Sequence, residues 1–294
     1  MFTKEQTCDF PWETIDSDLE RWLAEDAGRG DVTTDNLPLA GVMVIAEVRA
    51  KADGVLSGGG GFLRIMRKAD PELTVEKMTS DGTHYRKGDT LIRIKGDAAK
   101  LLRAERTALN LLNHLSGIAT LTARFVALAA GTKARVEDTR KNAPGLRALE
   151  KYAVRCGGGS NHRSDLSASV LLKDNHLVLV GAELEEAIVH LKKRVGHTVK
   201  IEVEVDDIDQ VERAAAAGAD IVMLDNMTPD DGREAVQLLG DQVLIEASGG
   251  VTLDTVRDWA ESGVDIISVG IITHSAPSAD LSLEFVPVER KSKK

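Results

Sequence analysis

Between Ala134 and Gly270 the chain repeats one pattern six times: a short apolar run that ends in polar residues, followed by a helix-like stretch. The runs are ARVEDT from Ala134, ASVLLKD from Ala168, VKIEVEV from Val199, ADIVMLD from Ala219, QVLIEAS from Gln242 and VDIISVG from Val264. Amphipathic segments such as AELEEAIVHLKKRV, QVERAAAAGA and TLDTVRDWAESG lie between them. Strands that alternate with helices define parallel β/α architecture, because each crossover helix covers the sheet it leaves. Six units in about 140 residues suit a barrel, perfect or incomplete, better than a sandwich. An open doubly wound sheet is the competing arrangement. Aromatic residues are only 3%, so the core must be aliphatic.

The first hundred residues read differently. Val42–Val55 is strand-like, Asp81–Ile94 carries two Gly-containing turns suited to antiparallel hairpins, and Leu19–Ala24 belongs to an amphipathic helix ended by the GRGD turn. A Leu/Ala-rich helical stretch follows from about Ala98 to Ala130, interrupted at Ser116-Gly117. The expected organisation is an N-terminal α+β domain over 1–110 and an incomplete parallel α/β barrel over 111–275. The tail 276–294, which ends in the basic stretch ERKSKK, is expected to pack on the first domain.

With 37 Lys+Arg against 47 Asp+Glu, the formal charge is −10, which argues against nucleic acid as the main partner. No apolar run approaches the ~20 residues of a membrane helix, and Met1–Phe10 lacks the apolar centre of a signal peptide, so no membrane partner and a cytoplasmic location are expected. Two cysteines, Cys8 and Cys156, cannot form a disulfide framework; Cys156, with no base nearby in sequence, reads as a small buried residue.

In a β/α barrel, chemistry gathers at the C-terminal ends of the strands. Those ends offer Thr139, Arg140 and Lys141; Lys173; Glu204; Asp225; Ser248, Gly249 and Gly250; and Ser268, Val269 and Gly270. His162 and Arg163 precede the second strand. Cations of this density around two or three acids suit a polyanionic substrate, whose carboxylates match Lys donors and Arg forks. Taken singly, each has a plainer reading: Arg140-Lys141 as a solvated pair, Asp225 as a helix cap. Glu202 and Glu204 alternate in IEVEV, so both face one side of their strand, and acids inside a covered parallel sheet are costly unless partnered or functional. SGG at 248–250 and VG at 269–270 end the last two strands, where many barrels bind phosphate through backbone N–H groups. GGGG at 58–61 serves a turn or helix start, and CGGG at 156–159 a close backbone approach or a tight loop. His84, His190 and His197 read as surface residues; His274 follows the phosphate-type loop as a supporting residue. A lyase using Lys173 as a Schiff-base amine, and a phosphometabolite sensor, are the competing function classes.

The sequence resembles the quinolinate phosphoribosyltransferase family over most of its length. The resemblance runs through EDAGRGDVTT from Glu25, ADGVLSGG from Ala52, AERTALNLLNHLSGIAT from Ala104 and DTRKNAPGLRALEKYAVRCGGGSNHRSDLSASVLLKDNHL from Asp138. It continues through IEVEV, AGADIVMLDNM, EASGGVT and SVGIITHSAPSADLSL. It implies homodimers, or larger assemblies of them, with sites shared between subunits. It also implies the reaction of quinolinate with phosphoribosyl pyrophosphate and magnesium to give nicotinate mononucleotide, pyrophosphate and carbon dioxide. By position it implies that Arg106 reaches in from the partner, and that Arg140, His162, Arg163 and Lys173 line the quinolinate site. Lys141 would lie near the pyrophosphate, with Glu204 and Asp225 at the ribose hydroxyls and metal. Ser248, Gly249, Gly250, Ser268, Val269 and Gly270 would hold the 5′-phosphate. Lys141, Lys173, Glu204 and Asp225 are the expected catalytic set. The chain departs from the family pattern at Asn142-Ala143 and Ile271-Ile272, but no charged or glycine position is lost. The LLKDNH segment, absent from a related family of molybdenum metabolism, is intact.

Overall fold

The computed structural model describes residues 9–39 and 41–287; Cys8, most of the N-terminal segment and ERKSKK lie outside them. The described strands are β1 (Met43–Ala50), β2 (Gly54–Val55), β3 (Thr74–Met78), β4 (His84–Tyr85), β5 (Thr90–Asp97), β6 (Arg135–Glu137), β7 (Val170–Leu172), β8 (Ile201–Val205), β9 (Ile221–Asp225), β10 (Leu244–Ser248), β11 (Ile266–Ser268) and β12 (Leu281–Pro287). They fall into two compact units: residues 1–121 with 155–157 and 276–294, and residues 122–154 with 158–275.

In the first unit an antiparallel sheet has the order β12-β1-β5-β3, and β2 pairs with β4. β1 is central, and its alternate residues Val44, Ala46, Val48 and Ala50 are buried. The GGGG stretch opens the helix Gly59–Ala69: Gly58 has φ 95°, which favours glycine, and a Cβ on Gly60 or Gly61 would lie 2.2 or 2.6 Å from the Trp12 ring. Asp31 of the GRGD turn caps the short helix Val32–Asp35 by accepting from the N–H groups of Thr33 and Thr34.

The helix Ala98–Ala129 is continuous through Ser116-Gly117, where the sequence suggested an interruption. The small residues answer a different need. Ser116 Oγ accepts from Ser57 N–H, and a Cβ on Gly117 would lie 2.1 Å from Pro277 O, so another segment crosses here in contact with the helix. By length and hydropathy alone this helix could cross a membrane, which corrects the expectation that no segment could. More than half of its most apolar stretch is buried within the protein, as in a core helix.

The second unit is a six-stranded parallel sheet ordered β6-β11-β10-β9-β8-β7. Consecutive strands β7 to β11 are neighbours, and β6 joins beyond β11, which is the cyclic order of a barrel. β6 and β7 do not pair; a single parallel bridge, Glu137 to Ser160, lies at the break. Glu202 of β8 and Glu246 of β10 turn to the same face, where their carboxylates and His162 come within 4.8 Å of one another. The strand order runs one way from β7 to β11, without the reversal that defines a doubly wound sheet. This is the incomplete parallel α/β barrel, and the open doubly wound sheet is excluded.

Candidate active site

The barrel registers align the polar strand ends: Glu204 lies opposite Met223, and Asp225 opposite Ser248. Above them is a cavity of 310 Å³. Ten of the residues singled out from sequence line it: Thr139, Arg140, Lys141, His162, Arg163, Lys173, Glu204, Asp225, Ser248 and Ser268. Leu171 and Met223 add apolar wall that the sequence gave no reason to select. Gly249, Gly250, Val269 and Gly270 are not among the lining residues, and Arg106 is an exposed residue of the first unit on the helix Ala98–Ala129.

Cations dominate one side. Arg140 and Arg163 each have a buried Nε without a hydrogen-bond partner, and Arg163 otherwise donates from Nη1 to Ser169 O at 2.8 Å. Burial, followed by the charge of Arg140, lowers the Arg163 guanidinium from its ordinary value. Two like charges with orphaned donors are unfavourable alone and call for an anionic ligand with several oxygens.

Lys173 Nζ and Glu204, which also line the cavity, form a close ion pair. The Lys173 amine is thus committed to a carboxylate, which disfavours its use as a Schiff-base nucleophile. Asp225 accepts from Asn226 Nδ2 at 2.9 Å. Asn226 has φ 55°, the only positive value outside glycine among the described residues, and its N–H donates to Ser248 O at 3.0 Å. Gly249 has φ 87°, and a Cβ there would lie 2.3 Å from Asn226 Oδ1, so both conformation and space require glycine. On the far side a Cβ on Gly270 would meet the Lys141 side chain at 3.1 Å, and Thr273 Oγ1 donates to Lys141 O at 2.8 Å. Lys141 is therefore fixed against the 270–274 turn.

Below the cavity lies a buried acidic floor of which the sequence reading caught only a part. His162 Nε2 is 3.2 Å from Glu202 and 3.5 Å from Glu246, while His162 Nδ1 accepts from Arg163 N–H at 2.7 Å. Ser268 Oγ donates to Glu246 at 2.5 Å. Both ring nitrogens of His162 and the Ser268 hydroxyl are thus engaged inside the protein, so these two residues build the floor. Burial opposes a charged His162, but Glu202 and Glu246 outweigh it and raise its value. Burial raises Glu137 as well. IEVEV signalled Glu202; Glu246 is a single acid in an apolar run and Glu137 stands beside Asp138 at a strand end, and neither shows its partners in the sequence.

Burial and the charge of Glu202 push the Glu246 carboxyl up to about 8 from an ordinary 4.5. Between those values the folded chain keeps a proton that the unfolded chain has released. Stability from this group is therefore full below pH 4.5 and falls as pH rises towards 8, by up to about 1.4 kcal/mol per unit. Glu246→Gln keeps the shape and cannot ionise, so its unfolding midpoint relative to wild type should rise from pH 5 to pH 8. A difference that does not change with pH would show that the carboxyl is already ionised in the folded chain.

A barrel open at one seam, with a cationic cavity at its strand ends, defines an enzyme-type site for a small polyanion. Residues 31–116 match the quinolinate phosphoribosyl transferase N-terminal domain, and residues 118–284 match the quinolinate phosphoribosyl transferase C-terminal domain. The chain belongs to the quinolinate phosphoribosyltransferase family. Relatives include a probable nicotinate-nucleotide pyrophosphorylase [carboxylating] of Bacillus subtilis, 40% identical over 90% of this chain and 91% of that protein. The nicotinate-nucleotide pyrophosphorylase [carboxylating] of Mycobacterium leprae is 37% identical over 91% of this chain and 95% of its own length. Among solved structures, NadC from Streptococcus pyogenes superposes with a TM-score of 0.91 at 38% identity, covering 96% of this chain and 99% of that one.

Proposed function

We propose that this chain transfers the phosphoribosyl group of phosphoribosyl pyrophosphate to the ring nitrogen of quinolinate, with decarboxylation, to give nicotinate mononucleotide, pyrophosphate and carbon dioxide in NAD biosynthesis. The observation that carries the reading is the pair of cavity-lining guanidiniums, Arg140 and Arg163, whose buried Nε donors have no protein partner. Two adjacent carboxylates on a flat ring supply the acceptors those donors need.

In this reading Arg140 and Arg163 receive the dicarboxylate, Lys173 stands at its edge, and His162 holds the Arg163 backbone from below. The ring nitrogen attacks C1 of the ribose as the bond from C1 to the pyrophosphate oxygen breaks. The positive charge that develops on the sugar is stabilised by Glu204 and Asp225, which also hold its hydroxyls. Lys141 meets the departing pyrophosphate. Backbone N–H groups of Gly249, Gly250 and Gly270 face the 5′-phosphate, while the Val269 N–H, which donates to Glu137 O at 2.9 Å, holds the second turn in place. Once alkylated, the ring nitrogen draws in the electron pair of the adjacent C–COO⁻ bond as carbon dioxide leaves, so no protein base is needed, and C2 then takes up a proton.

Glu204 and Asp225 are hard oxygen donors at the cavity, a set that would suit Mg²⁺. Bound there, Mg²⁺ would neutralise charge on the leaving group. The working unit in this proposal is a homodimer, or a larger assembly built from dimers, in which Arg106 completes the partner's site. A cytoplasmic location accords with this chemistry.

Pyrophosphate release should be seen with quinolinate and be lower by at least about 100-fold with nicotinate, because the missing carboxylate leaves buried cations unpaired. Comparable turnover of nicotinate would refute the assignment.

A further inference from the structure

Close in sequence to the two arginines is a buried charge pair, Lys151 and Asp138, that is not among the residues lining the cavity. Lys151, on the helix Arg147–Cys156, donates from Nζ to Asp138 Oδ1 at 2.5 Å and to His162 O at 2.9 Å. Asp138 Oδ1 also accepts from His162 N–H at 2.9 Å, and its Oδ2 accepts from Asn161 Nδ2 at 2.8 Å. The same Asn161 amide donates to Lys151 O at 2.9 Å. The Asp138 side chain is wholly buried, and that of Lys151 is 7% exposed.

These bonds join two stretches of chain that follow the Glu137 to Ser160 bridge at the open seam of the barrel. One stretch runs from Asp138 to Arg140, the other from Asn161 to Arg163. Each delivers one guanidinium to the cavity, and the two repel. A buried ion pair gains little over a well-packed apolar pair, so stability alone is a poor account of this one. A fixed separation between repelling arginines, held beyond the point where the strand-type bond from Asp138 N–H to Ser160 O ends, is a better one.

We infer that Lys151 and Asp138, braced by Asn161, are positioning residues that set the spacing of Arg140 and Arg163 for a dicarboxylate. The inference rests on the reading of those arginines as the quinolinate receivers. Misplacement of about 1 Å costs on the order of 100-fold in rate. The direct consequence is an effect weighted towards quinolinate: Lys141 follows Arg140 on the same loop, but it has its own anchor in Thr273 Oγ1, which donates to Lys141 O at 2.8 Å.

The test compares Lys151→Met, Asn161→Ala and Arg140→Ala with wild type. It measures kcat and KM for each substrate and the thermal midpoint. Lys151→Met should lose about 100-fold in kcat/KM for quinolinate and Asn161→Ala about 10-fold, with the KM for phosphoribosyl pyrophosphate changed less than about threefold. If Lys151→Met does not fold, Asn161→Ala, which removes no buried charge, decides alone. Equal losses for both substrates, or none in a folded variant, overturn the inference. If Arg140→Ala stays active, the reading of the arginines falls; if only Arg140→Ala is inactive, the brace falls by itself.

Discussion

Arg140→Lys should fail nearly as completely as Arg140→Ala, each losing about 100- to 1,000-fold in kcat/KM for quinolinate. Removing one member of a buried charge pair costs roughly 2–5 kcal/mol, about 30- to 5,000-fold, and the expected loss falls inside that span. Lysine keeps the charge but is a point donor on a flexible stem, whereas the guanidinium presents a planar fork to a carboxylate. The structure sharpens the contrast. The buried Arg140 Nε is one of the donors awaiting a ligand, and a lysine has nothing to place there. Near-normal turnover by Arg140→Lys would show that positive charge alone serves this position.

Arg106 and Lys173 give the second large effect. Each alanine variant should be nearly inactive by itself. In a mixed dimer with shared sites, one site carries both defects, and the other has an intact Arg106 and an intact Lys173. Random reassortment of equal amounts makes about half of the dimers mixed, each with one working site of two, so activity should recover to about a quarter of wild type. Verified mixed dimers with no recovery would place Arg106 in the service of its own subunit, or in a structural role.

The parallel half of the fold was legible because each strand carries its own signal, a β-branched run closed by a polar residue. The cavity was legible for the related reason that barrel chemistry gathers at those closing residues; Arg140, Lys173, Glu204 and Asp225 meet there as the runs implied. Ser116-Gly117 misled because glycine marks close approach as readily as a break. Only the tertiary neighbour, Pro277 O, distinguishes the two. Glu246 was opaque for a different reason. One acid in QVLIEAS has no partner in sequence, and its neighbours Glu202 and His162 arrive from other elements. Lys151 and Asp138 lie in conspicuous segments, yet nothing local says that their side chains meet.

The place of β12 has a consequence for synthesis. β1 is flanked by β5 on one side and by β12 on the other, and β12 follows the whole parallel sheet in sequence. A chain made from its N-terminus therefore exposes one edge of β1 throughout translation of the barrel. Every strand of the catalytic sheet is available to pair before the strand that closes the antiparallel one has left the ribosome. A chain cut short between Ser275 and Leu281 and released would carry every barrel strand but not β12, and the open edge of its β1 would be free to pair with another chain.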